Sequence, residues 1–168
     1  MKKENCINCQ NQATVTRGSY RFEGVGLPLT LENIELVKCE HCGTVDPIIP
    51  NMDELMHTMA LAVICSPCKL DGARLRFLRT YVGKGSAEFA KLLHLDKTTM
   101  SKMENDERSI GDQTDRLIRL LVVNLSPELK NKVKQLIEVL PDIKDCCPSE
   151  KTEIHIDPAT QMYQYAHA

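Results

Sequence analysis

The sequence predicts an α+β fold: a small N-terminal four-cysteine zinc ribbon, then an all-α C-terminal domain of five helices containing a helix-turn-helix. Three observations carry that expectation. Two Cys-x-x-Cys pairs, Cys6/Cys9 and Cys39/Cys42, are separated by twenty-nine residues. Between them, residues 14–22 and 29–38 alternate apolar with polar side chains around a Gly24-Val25-Gly26-Leu27-Pro28 turn, the period of a half-buried strand. From residue 51 onward the apolar residues return every three or four positions, which is the period of a helix. The expected boundaries are 1–50 for the ribbon, 51–68 for a linker helix and hinge, 69–140 for the helical domain with its dimer surface, and 141–168 for a tail.

At 168 residues, 42% hydrophobic and 26% charged, the chain can bury one ordinary core or two small ones. It has no run of eighteen apolar residues, and Met1-Lys2-Lys3 leads into Cys6 without an apolar signal segment. A cytoplasmic protein with no membrane partner is therefore expected. In a reducing compartment, eight cysteines point to metal ligands or free thiols rather than a disulfide framework. The net charge of −2 does not itself suggest nucleic acid, but it is unevenly spread. Residues 69–108 hold nine Lys/Arg against six Asp/Glu, and the remainder sums to −5.

A two-residue spacing lets both thiolates of a pair reach one tetrahedral ion at ~2.3 Å. Cys6, Cys9, Cys39 and Cys42 are thus expected to close a structural site around one Zn2+ per chain. A redox role for either pair lacks a thioredoxin-like βαβ context, and four cysteines leave no open position for a catalytic water. His41, between the ligands, reads as solvent-facing. About fifty residues rarely fold on a core alone, so metal binding should form part of this segment's folding free energy.

The stretch from Leu70 to Arg108 reads as a helix-turn-helix. Asp71 can cap a helix with Leu75, Leu78, Tyr81 and Val82 on one stripe, ending at the Gly83-Lys84-Gly85 breaker. Ser86 can cap a second helix that buries Ala87, Ala90 and Leu93, its apolar face widened by Phe89 and Leu92. After the turn His94-Leu95-Asp96, a third helix runs from Lys97 to Glu104 with Met100 and Met103 on its inner side. That leaves Thr98, Thr99, Ser101, Lys102 and Asn105 facing a groove of double-stranded DNA, with Lys84 and Lys97 placed for phosphates. Lys102 is the strongest candidate for reading a base, since its ammonium can contact the O6 and N7 acceptors of guanine.

These residues carry a family likeness. The string LDGARLRFLR…SAEFAKLLHLDKTTMSKMEN resembles the XRE-type helix-turn-helix in the version carried by the MqsA (YgiT-type zinc finger) antitoxin family. The ribbon is similar as well, through its cysteine pairs and the GVGLPLTLENIEL between them, so the likeness covers roughly residues 5–125. The resemblance implies an antitoxin whose zinc domain binds a cognate ribonuclease toxin, while its helix-turn-helix acts as a homodimer on a palindromic operator and represses the operon. Two departures stand out. Lys102 occupies a position where the family's helix usually carries Arg, and the third pair, Cys65/Cys68, has no counterpart in the family's hinge. A second metal site there would need partners, and the only other thiols are the vicinal Cys146 and Cys147, nearly eighty residues away. Free thiols are expected there, with a redox-sensitive hinge as the alternative.

Either side of the central motif the reading is simpler. Asn51 can cap a linker helix bearing Met52, Leu55, Met56, Met59, Ala60 and Val63, which Pro67 ends. Residues 113–124 carry Leu117, Ile118, Leu120, Leu121 and Val122 and should close the core. Ser126-Pro127-Glu128 starts a fifth helix with Val133, Leu136, Ile137 and Leu140, and these last two helices are the expected dimer surface. Residues 152–157 and then Tyr163 and Tyr165 alternate in a way that suits a short terminal hairpin. No nucleophile–base or paired-carboxylate constellation stands out, so an enzyme is not expected. The competing reading is a stand-alone transcription regulator with no toxin partner.

Overall fold

The computed structural model describes residues 3–146 and 152–167. It corrects the expected fold class: the C-terminal part is not all-α, because two strands close the chain and join the N-terminal sheet. The strands are β1 (Lys3–Asn5), β2 (Gln12–Arg21), β3 (Leu29–Lys38), β4 (Val45–Ile48), β5 (Thr152–Asp157) and β6 (Met162–His167). β2 pairs antiparallel along one edge of β3 from Thr30 to Lys38. The other edge is shared. β4 takes the Glu35–Lys38 half antiparallel, and β5 takes Leu29–Leu31 in parallel, with β6 beyond it.

β3 shows why the apolar pattern changes phase partway along. Leu29 and Leu31 are buried, and so are Ile34 and Leu36, three and five residues further on from Leu31. A strict period of two would turn one of these sets to solvent. Between the pairs Gly18↔Ile34 and Tyr20↔Leu31, β3 advances by three residues while β2 advances by two, and Asn33 takes a left-handed φ of 54°. This bulge absorbs the extra residue and keeps all four side chains on the core face. In β5, Ile154 and Ile156 stand opposite Leu29 and Leu31 and extend that face.

Six helices follow among the described residues: α1 (Met52–Ile64), α2 (Gly72–Tyr81), α3 (Ser86–Leu92), α4 (Lys97–Glu104), α5 (Asp112–Leu125) and α6 (Val133–Val139). The side chains of Asn51, Asp71 and Asp96 accept from Glu54, Arg74 and Thr99 amides and so start α1, α2 and α4. The residue before α3 is Gly85, without a side-chain cap, and Ser86 is already helical. Instead of one fifth helix, Pro127–Lys132 is a 3-10 segment leading into α6. α1 lies on the sheet, burying Leu55, Met59, Ala60, Ala62, Val63 and Ile64, and the Tyr165 hydroxyl donates to the Ala62 carbonyl at 2.7 Å. One apolar cluster runs from Leu27 through the helices to Ile156, while Cys6, Ala13 and Cys39 form a small separate one at the sheet's tip. Several expected core positions are surface ones: Ala87 and Leu92 in α3, Leu117 and Leu120 in α5, and Ile137 after them. Their stripes are broader than the faces these helices bury.

Two features brace the hinge between α1 and α2. Arg119 of α5 is fully buried and donates to the carbonyls of Ile64, Ser66 and Cys68 at 2.6–2.7 Å, and also to Asp115. Asp115 in turn accepts from the Leu70 amide at 2.6 Å. One guanidinium thus satisfies carbonyls that the break at Pro67 strips of helical partners. The second feature corrects the expectation of free thiols: Cys68 is disulfide-bonded to Cys146. Cys65 is a free, buried thiol, and Cys147 lies outside the described residues.

Candidate metal centre and helix-turn-helix

Each cysteine pair sits in a tight turn at the tip of the sheet. In the first, the Gln10 amide donates to the Cys6 carbonyl, and in the second the Gly43 amide donates to that of Cys39, both at 2.9 Å. The residue after each pair, Gln10 or Gly43, is left-handed, with φ of 61° and 73°. Glycine suits that conformation, and Gln10 adopts it at some steric cost. Because β2 and β3 pair directly, the two turns arrive side by side. The four Sγ atoms all lie within 4.8 Å of one another, with Cys6–Cys42 and Cys9–Cys39 at 3.5 Å. A tetrahedral ion with ~2.3 Å bonds to sulfur needs S–S edges of about 3.8 Å, so the donor set can hold a metal ion.

Neighbouring polar groups hold two of the four thiols toward the thiolate, whereas at Cys39 the hydrogen bond from the Cys42 backbone is outweighed by burial and by the hydrogen bond with Cys9, which push that thiol up to about 11. Hydrogen bonds from Thr44, first its hydroxyl and then its backbone, hold the Cys42 thiol down at about 6. The Asn8 amide donates to that hydroxyl at 3.3 Å and so links the two turns. Asn11, through its side chain first, lowers Cys9 in the same direction. A ligand with a depressed pKa has less proton to displace at neutral pH, which suits metal binding. His41 is exposed; its backbone hydrogen-bonds the Cys39 thiol, and its imidazole is not one of the four grouped ligands.

The second candidate site is the α3-turn-α4 unit. His94, in the turn, is left-handed with φ of 56°, and Asp96 caps α4 through both the amide and the hydroxyl of Thr99. Met100 and Met103 are buried and set the inner face of α4. Its far end is fixed against α2 by contacts that leave little freedom. A Cβ on Gly72 would stand 2.5 Å from the Glu104 carbonyl oxygen, so only glycine lets α2 start this close. Arg79 binds the Glu104 carboxylate at 2.6 Å, and the same guanidinium donates to the Lys84 carbonyl, tying the turn before α3 to the end of α4.

On the outer side Lys97, Thr98, Ser101 and Lys102 are exposed together, as their three- and four-residue spacing requires. Asn105 continues this stripe, with its Oδ1 accepting from Arg76 at 3.0 Å. Thr99 is half-buried, donates to Asp96 and accepts from Arg108. Lys84 forms an exposed ion pair with Glu88. The positioning residues Arg76, Arg79 and Gly72 are not singled out by the sequence; the visible signal is the pair Arg76 and Arg79, one turn apart on α2. No helix is long and apolar enough to cross a membrane among the described residues. No protein-family model matches the chain, and neither does any curated protein or solved structure.

Proposed function

We propose that the chain is a sequence-specific DNA-binding repressor with a zinc-stabilised ribbon, acting as a two-fold homodimer. The observation that carries this reading is the exposed stripe Lys97, Thr98, Ser101, Lys102 on a helix whose opposite face and both ends are fixed. A rigid helix with donors on its free side is what major-groove reading needs. The net charge of +3 over residues 69–108, the segment that contains that helix, supports it. Zinc is the metal that four thiolates in closed tetrahedral geometry favour. Exposed Leu117 and Leu120, one turn apart on α5, and Ile137 on α6 supply apolar surface for a second copy.

The family likeness extends the proposal to an antitoxin that binds a ribonuclease toxin and autoregulates its operon. Ile7 and Val45, exposed beside the two cysteine turns, offer apolar side chains to a protein partner there. Selection from a random double-stranded DNA pool is expected to recover inverted repeats with half-sites ~10 bp, or a multiple, apart. A footprint without inverted symmetry, or no enrichment over the pool, would remove the dimeric repressor reading.

A further inference from the structure

The Cys68–Cys146 bond joins points 78 residues apart, and it does so at the hinge that precedes α2. Residues 143–146 lie beside that hinge as a short parallel bridge. The Lys69 amide donates to the Lys144 carbonyl, and the Lys144 amide donates to the Pro67 carbonyl, each at 3.0 Å. Lys69 also pairs with Asp145 at 2.8 Å through its ammonium. Past this bridge the chain goes on to β5 and β6, which lie on β3 and α1. The bridge is therefore where the returning C-terminal hairpin is fastened to the hinge. Two backbone hydrogen bonds and an exposed ion pair hold little by themselves, so the covalent bond dominates the fastening.

The two sulfurs differ in access. Cys68 is 5% exposed, whereas Cys146 is half-buried. Both border an open groove of about 250 Å3 whose far wall is the loop after α4, with Asp106, Arg108 and Ile110. A small reagent in the groove meets Cys146 first. Among the described residues, the free thiol nearest in sequence is Cys65, which is buried away from solvent and does not compete.

We infer that Cys68–Cys146 is a reversible redox site, opened by a small dithiol reductant, which latches the C-terminal hairpin to the hinge. A thiolate of the dithiol attacks Cys146 Sγ, the Cys146–Cys68 bond breaks, and Cys68 leaves as a thiolate that takes up a proton. The second thiol then attacks the mixed disulfide and releases Cys146. Two electrons and two protons pass to the cysteine pair, and the dithiol becomes a cyclic disulfide. An oxidised disulfide of the same class reverses the reaction. The metal-site thiols are coordinated when the ion is bound and are poorer nucleophiles, which leaves this pair as the responsive one.

The test uses the full-length, metal-loaded protein equilibrated with oxidised glutathione, then treated or not with dithiothreitol, with metal content checked in both states. Peptide mapping should find Cys68 linked to Cys146 before treatment and both alkylated afterwards. Amide exchange at Lys69 and Lys144 should accelerate at least about tenfold on reduction, because both amides are bonded across the latch. Cys146→Ser should exchange at the fast rate with or without reductant, while Cys147→Ser should still respond. Two free thiols after oxidation would overturn the inference. So would equal exchange in both states, or a response to dithiothreitol retained in Cys146→Ser.

Discussion

Replacing Cys39 with serine is expected to release the metal and unfold the tip of the sheet while the helical part stays folded. The tip's own apolar cluster is only Cys6, Ala13 and Cys39, with Cys9 and Val37 against it, and three of these five are cysteines, which offer sulfur rather than hydrocarbon. Such a cluster cannot offset the entropy of ordering β1, the two turns and β4. Binding of structural zinc in small sites supplies about 10–16 kcal/mol, ample for that segment. From Leu36 back through Ile34 to Leu29, β3 belongs to the main cluster, together with Ile154 and Ile156, and does not depend on the ion. Metal analysis should therefore fall from about one zinc per chain to none, and proteolysis should attack residues 3–15 and 38–46 first. Retention of stoichiometric zinc by Cys39→Ser would mean that the four thiols are not its ligands.

A second large effect is expected at Arg119, which braces the hinge between α1 and α2. Arg119→Met keeps the volume but leaves Asp115 and the carbonyls of Ile64, Ser66 and Cys68 buried without their donor. Breaking a buried pair in this way costs about 3–5 kcal/mol, a large part of the stability of a domain this size. Asp115→Leu alone should also destabilise, because Arg119 then keeps an uncompensated charge and the Leu70 amide loses its acceptor. The double variant should recover part of the loss, since two apolar side chains no longer strand a charge. Urea unfolding of the four proteins measures this directly, and strictly additive losses would show that the pair does not act as a unit.

Where local chemistry decided the outcome, the sequence was readable. Asn51, Asp71 and Asp96 start their helices as side-chain caps, and the bounds of β3 and α4 follow from alternation and from capping plus two methionines. The cysteine cluster was readable for the same reason, since spacing restricts which thiols can converge. What escaped was pairing across the chain. Ile154 and Ile156 announce a strand, but nothing in their neighbourhood says that it lies parallel to residues 29–31, and so the helical part was read as a separate all-α domain. The disulfide escaped likewise, because Cys68 and Cys146 meet only once the hairpin has returned. Arg119 was an available signal: Asp115 and Arg119 share the buried face of an amphipathic helix with Ile118 and Val122, a place where charge persists only when paired. Leu117 and Leu120 failed in the opposite sense, since a wide apolar stripe does not distinguish core from a surface meant for a partner.

The most direct measurement is equilibrium binding to the DNA site recovered by selection, with single base-pair variants and several salt concentrations. For Lys102→Ala the affinity should fall by about 1–3 kcal/mol and discrimination should flatten at one base pair, since this exposed ammonium stands on the free face of α4. For Lys84→Ala, at the far end of the motif and paired with Glu88, all sequences should weaken alike and the salt slope should become shallower by about one. Base preference and affinity both unchanged in Lys102→Ala would contradict the account, because α4 would then not be the element that meets the groove.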